Sequence, residues 1–131
     1  MAISHLSSGD VASVRPLGDE LDQTSTTAYF KDEHLEVMRI FLPVGKRMAE
    51  HAVDGPVTLQ CIEGEIDVVT GNTHKVIRSA DLLYLAAGVP HALKAIRNSS
   101  LLVTIVLLRA SDKPGLASAR RIHHDNALHE K

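Results

Sequence analysis

The stretch GKRMAEHAVDGPVTLQCIEGE, Gly45 to Glu65, carries one histidine, a tight turn, a strand-like run and a glycine, in the order of half a metal site. A second histidine, His91, opens the run HALKAIR. An imidazole nitrogen can bind a divalent cation through its lone pair, and the same lone pair can take a proton near neutral pH. Side chains alternate along a strand, so Val57, Leu59 and Cys61 share one face. That face continues the one carrying His51 and Val53 across the DGP turn. By the same rule His91, Leu93, Ala95 and Arg97 fall together. A small barrel keeps an apolar face inward along every strand. His51 and His91 are therefore expected at the mouth of one pocket, walled by Val53, Val57, Leu59 and Leu93.

A third donor is harder to find. Cys61 lies four residues beyond Val57, roughly 13 Å along a strand at about 3.3 Å per residue. It is expected to be too deep, and it reads as a small buried hydrophobe. Gln60 falls on the other face, and Glu50 alternates away from His51. His34, Glu36 and Met38 share a face whose direction the pattern leaves open. His74, beside the TGNT turn, reads as exposed. His124 and His129 stand five apart, outside the spacing that makes neighbours on a helix, and with His123 they read as tail residues. Arg97 reads as a strand-end charge with the reach to hold a carboxylate at the mouth.

The elements that must position these residues are short. Apolar runs near TTAYF, LEVMRIFL, VTLQCI, EIDVVT, HKVIR, LLYLA, HALKAI and LLVTIVLL alternate with PVG, DGP, EG, GN, SAD, AGVP and RNSS. Many short strands with turn signals roughly every 8–12 residues predict an all-β sandwich or barrel. Residues 1–25 read as a peripheral extension with a short extended piece at SVRPL, and 26–110 as the barrel. Residues 111–131 read as a polar tail, either frayed or with a short helix over Ala117–Arg121. At 131 residues, 44% of them hydrophobic, the chain is one globular domain. Lysine and arginine number 14 against 16 acidic residues, a net charge of −2 and no footprint for nucleic acid. One cysteine excludes an internal disulfide and fits a reducing compartment, so a cytoplasmic location is expected. No run approaches the roughly 18 apolar residues of a membrane span. LLVTIVLL is apolar on both parities, which predicts burial on both faces and a homodimer to cover the second.

The order of these elements resembles the cupin superfamily, RmlC-like jelly-roll barrels of two antiparallel sheets. The family's first motif is G-x5-H-x-H-x(3,4)-E-x6-G. Gly45, His51 and Gly64 match it, while Val53 and Val57 replace the second histidine and the glutamate. Its second motif is G-x5-P-x-G-x2-H-x3-N. Gly88 and His91 match, with Ala80, Ala86 and Ala95 replacing the glycine, proline and asparagine. The resemblance spans about Leu35 to Leu108. It implies a site which in the family holds a divalent metal through three imidazoles and a carboxylate. With two donors left, the expected cofactor is none or a divalent ion (Zn, Fe, Mn or Ni) held by His51 and His91 at partial occupancy. Three functions stay open: a metal-poor pocket for a small organic molecule, a metal-dependent dioxygenase, isomerase or decarboxylase-like enzyme using the two histidines, and a structural or regulatory dimer.

Overall fold

The computed structural model describes residues 5–23 and 26–108. After a 3-10 helix at Gly18–Gln23 come nine strands: β1 (Thr27–Lys31), β2 (Leu35–Leu42), β3 (Arg47–His51), β4 (Val57–Glu63) and β5 (Glu65–Thr70), then β6 (Thr73–Arg78), β7 (Leu82–Leu85), β8 (His91–Ala95) and β9 (Ser99–Val106). They form two antiparallel sheets, a five-stranded one in the order β1-β2-β9-β4-β7 and a four-stranded one in the order β3-β8-β5-β6. From β2 onward the chain passes repeatedly from one sheet to the other, the winding of a jelly roll. Among the described residues no helix is long and apolar enough to cross a membrane.

Period-two alternation explains why the sheets face each other. In β4, Val57, Leu59 and Cys61 are buried and the residues between them are half-buried. The inward residues meet Ile66 and Val68 of β5, Leu93 of β8 and Leu101 of β9 in one core. Each large aliphatic side chain buried there contributes about 1.5–3 kcal/mol. The β4–β5 corner is tight. Gly64 has a φ of +96°, and a Cβ at this position would collide with the Ser99 side chain and the Asn98 carbonyl. Ser99 uses that closeness, its Oγ accepting the Glu65 N–H at 2.9 Å.

One expectation needs correction. SVRPL is not a strand; Ser13–Leu17 has no regular structure and crosses the outer face of the five-stranded sheet. Proline at position 16 lacks an N–H, and the neighbouring polar groups find side-chain partners instead of a ladder. The Arg15 carbonyl accepts from Arg39 Nη2 at 2.7 Å, and Glu63 accepts the N–H groups of Leu17 and Gly18 at 3.0 and 3.1 Å. Within the chain β9 is buried on its core face and only partly covered on the other. Leu101 and Val103 are buried, Leu102 and Thr104 are half-buried and Val106 is exposed. The expected tail helix, with His123, His124 and His129, lies outside the described residues.

Glu63 is the joint between strap and sheet. Its Oε2 accepts from Arg39 at 3.1 Å and from the Ser100 hydroxyl at 2.8 Å, and Arg39 is 5% exposed. Burial alone would push the Glu63 carboxyl upward. The N–H groups of Leu17 and Gly18, the Ser100 hydroxyl and the Arg39 charge outweigh it and hold the group below its ordinary 4.5. The fold therefore binds the ionised form. Its stabilising effect is complete above about pH 4.5 and is lost as pH falls through the lower folded-state value. Replacing Glu63 by Gln leaves Arg39 buried without its counter-charge and should cost about 3 kcal/mol near neutral pH. Urea unfolding of the wild type and Glu63→Gln across acid pH checks this: the stability gap should close on acidification, and a gap independent of pH would contradict the assignment.

Candidate functional site: an imidazole pair over an apolar cavity

β3 and β8 are neighbours, and their register builds the site. Arg47 stands opposite Lys94, Met48 opposite Leu93 and His51 opposite His91. Between the last two pairs β3 advances three residues and β8 two, so β3 carries one extra residue, a β-bulge. Strict alternation would put Met48 and His51 on opposite faces. The extra residue brings both to the inner side, where both line one cavity. The two imidazole rings pack at a centroid separation of 4.5 Å with planes tilted by 53°. His91 is buried, 4% exposed, while His51 is open to solvent.

The cavity has a volume of about 140 Å³. Val53, Val57, Leu59 and Leu93 all stand on its wall, in the company of the two histidines. Met38 and Ile40 of β2, Met48 of β3, and Val103 and Ile105 of β9 complete it. Sequence reasoning did not assign these five. Met38 and Ile40 share a parity, so the signal for them existed, but nothing local said which face of β2 turns inward. Met48 was hidden by the bulge.

Hydrogen bonding fixes the chemistry of both rings. His91 Nδ1 lies 3.0 Å from the Val89 carbonyl oxygen, and His51 Nδ1 lies 3.2 Å from that of Ala49. A carbonyl oxygen only accepts, so each Nδ1 carries the hydrogen and donates it. In the neutral rings Nε2 is then a lone pair. The site thus offers two acceptors side by side, and every other residue on the cavity wall is apolar.

The remaining candidates stand elsewhere. Cys61 is fully buried in the core, and burial, followed by the Asp81 carboxylate, pushes its thiol up to about 11. A thiol held protonated is neither nucleophile nor metal ligand. His34 is exposed beside Glu33. His74 is exposed too, its Nδ1 donating to Asp67 Oδ2 at 2.9 Å. Glu50 is exposed, and Gln60 occupies the opposite parity to Val57 and Leu59. Arg97 does not reach the mouth. β8 ends at Ala95, the chain turns, and Arg97 Nε donates to Glu65 at 3.1 Å, beyond the end of the strand that His91 begins.

The architecture is shared with solved structures. A cupin superfamily protein from Desulfitobacterium hafniense superposes with a TM-score of 0.64 at 14% identity, over 75% of this chain and 95% of that one. The chain has the cupin fold. An RmlC-like cupin from Shewanella frigidimarina gives a TM-score of 0.61 at 19% identity, over 83% and 96% of the two chains. A conserved protein of unknown function from Streptococcus pyogenes gives 0.67 at 21% identity, over 84% and 100%. No protein-family model matches the sequence, and no curated protein does.

The cupin fold raises the question of a metal, and the donor set answers it. Among the described residues no three His, Cys, Asp or Glu side chains are grouped to hold an ion. The two imidazoles supply two nitrogens, whereas a catalytic zinc site takes three protein ligands and a structural one four. Val53 and Val57 line the cavity at the positions where the cupin motif has its second histidine and its glutamate. The described residues of this cavity do not fit a resident metal. If the backbone scaffold is intact, Val53→His with Val57→Glu should raise bound divalent metal towards one per chain, read by elemental analysis after matched purification. A wild type already holding one tightly bound ion per chain would contradict this reading.

Proposed function

We propose that this cupin-fold domain is a binding module for a small organic molecule, held in the barrel cavity without a resident metal. The observation that carries the reading is the composition of the cavity: nine apolar side chains and two adjacent imidazoles line it. Apolar walls with a few convergent polar groups are the ordinary form of a ligand pocket. Size narrows the class. Pockets for drug-sized ligands run to about 300–1,000 Å³, so 140 Å³ admits a fragment and no nucleotide or sugar phosphate. Charge narrows it further, since an ion placed among Val57, Leu59 and Val103 would be desolvated without a counter-charge.

An apolar gas or hydrocarbon tests the reading without knowledge of the natural ligand. A dry cavity of about 150 Å³ takes up xenon or benzene. Xenon and toluene should therefore bind the wild type at one site, seen as shifts of the cavity methyl signals. Val53→Phe, which fills the cavity from a half-buried position, should abolish both while the remaining spectrum stays folded. A wild type that takes up neither probe would overturn the proposal.

A further inference from the structure

We infer that the occupant of this cavity is a single aromatic ring bearing a hydroxyl group, a phenol, bound through O–H donation to Nε2 of His91, the buried member of the imidazole pair. The inference rests on the binding-module reading above and adds the identity of the head group and body. Three observations carry it.

The first concerns hydrogen-bond polarity. The Val89 and Ala49 carbonyls hold the Nδ1 hydrogens of His91 and His51. Each neutral ring has only its Nε2 lone pair left, so a head group that bonds to either ring must donate. His51 is open to water, and the buried His91 is the acceptor a ligand has to satisfy. A carboxylate, which only accepts, meets two acceptors and is rejected, and an aldehyde or ketone fails in the same way. An ammonium group donates but brings a full charge to a cavity with no carboxylate on its wall. A neutral hydroxyl meets both requirements.

Volume is the second. The cavity's 140 Å³ is close to the roughly 150 Å³ known to accommodate benzene. One six-membered ring with a small substituent fills it, and a fused bicycle does not enter.

The third observation is the placement of sulfur. Met38 comes from β2 of the five-stranded sheet and Met48 from β3 of the four-stranded sheet, so the cavity is bounded by thioethers from both layers. Sulfur–aromatic contacts are favourable at ring edges. The cavity wall has no aromatic side chain of its own besides the two imidazoles, so an aromatic body beside the thioethers would come from the ligand.

Phenol and toluene have nearly the same shape and differ in the hydroxyl, which makes the pair a stringent comparison. Titration calorimetry of the full chain with phenol, toluene and benzoate, together with long-range proton–nitrogen spectra of the imidazoles, tests the inference. Phenol should bind about tenfold tighter than toluene, the equivalent of one neutral hydrogen bond surplus to its desolvation. It should shift the His91 Nε2 resonance, toluene should not, and benzoate should bind more weakly than either. Toluene binding as tightly as phenol, phenol binding without moving His91 Nε2, or benzoate binding best would each overturn the phenol assignment while leaving the cavity a binding site. If none of the three binds, the binding-module reading falls with it.

Discussion

One extra residue in β3 sets the geometry on which the site depends. Without the bulge between Met48 and His51, strand alternation would send one of them to solvent. With it, His51 is opposite His91 and the rings touch, while Met48 stays in the wall of the same cavity. Bulges re-aim side chains at the cost of a ladder interruption. Here the interruption falls at the end of a short edge strand, where little pairing is lost. The carbonyls of Ala49 and Val89, each two residues before its histidine, then fix both rings through Nδ1. Local backbone thus determines both where the imidazoles sit and which nitrogen remains available.

The valines at 53 and 57 are consistent with that arrangement. A carboxylate at position 57, where the side chain is 3% exposed, would be a buried charge costing several kcal/mol unless a cation accompanied it. Valine turns the same position into core, contiguous with Leu59 and Val103. The hydrocarbon wall and the two-donor set are therefore two aspects of one substitution pattern. A related departure from the cupin motif is Ala80, which stands where that motif has glycine and keeps a φ of +75°. A left-handed conformation costs a non-glycine residue roughly 1–2 kcal/mol. The turn holds it through Ala80 N–H to the Cys61 carbonyl at 2.7 Å and Arg78 N–H to Asp81 Oδ2 at 2.8 Å. The turn thus keeps a left-handed backbone with an alanine where the cupin motif has glycine.

What could be read from the sequence follows the range of the interactions involved. Alternation within a strand is local, so Val57, Leu59 and Leu93 could be placed on one wall together with His51 and His91. Eight of the nine described strands were legible for the same reason; β3, Arg47–His51, was not among the apolar runs, and the pairing of two sheets came from the family resemblance. Met48 was not, because a bulge leaves no mark in a two-residue period. Arg97 was misplaced because alternation was extended past Ala95, where β8 stops. The strap was out of reach altogether. Glu63 and Leu17 are 46 residues apart, and nothing near either predicts that a carboxylate will accept backbone N–H groups from so far along the chain. A buried arginine on the outer face of a sheet, Arg39, has meaning only once the segment covering it is seen.

Both imidazoles that line the apolar cavity hold their hydrogen on Nδ1 and leave Nε2 as a lone pair. Long-range proton–nitrogen correlation spectra of the ligand-free protein at a pH where both rings are neutral report the tautomer of each histidine directly. Both His51 and His91 should show the Nδ1–H form, with Nε2 shifted as an unprotonated nitrogen. An Nε2–H tautomer at His91 would contradict it, because the buried ring would then donate to the cavity and select a ligand that accepts.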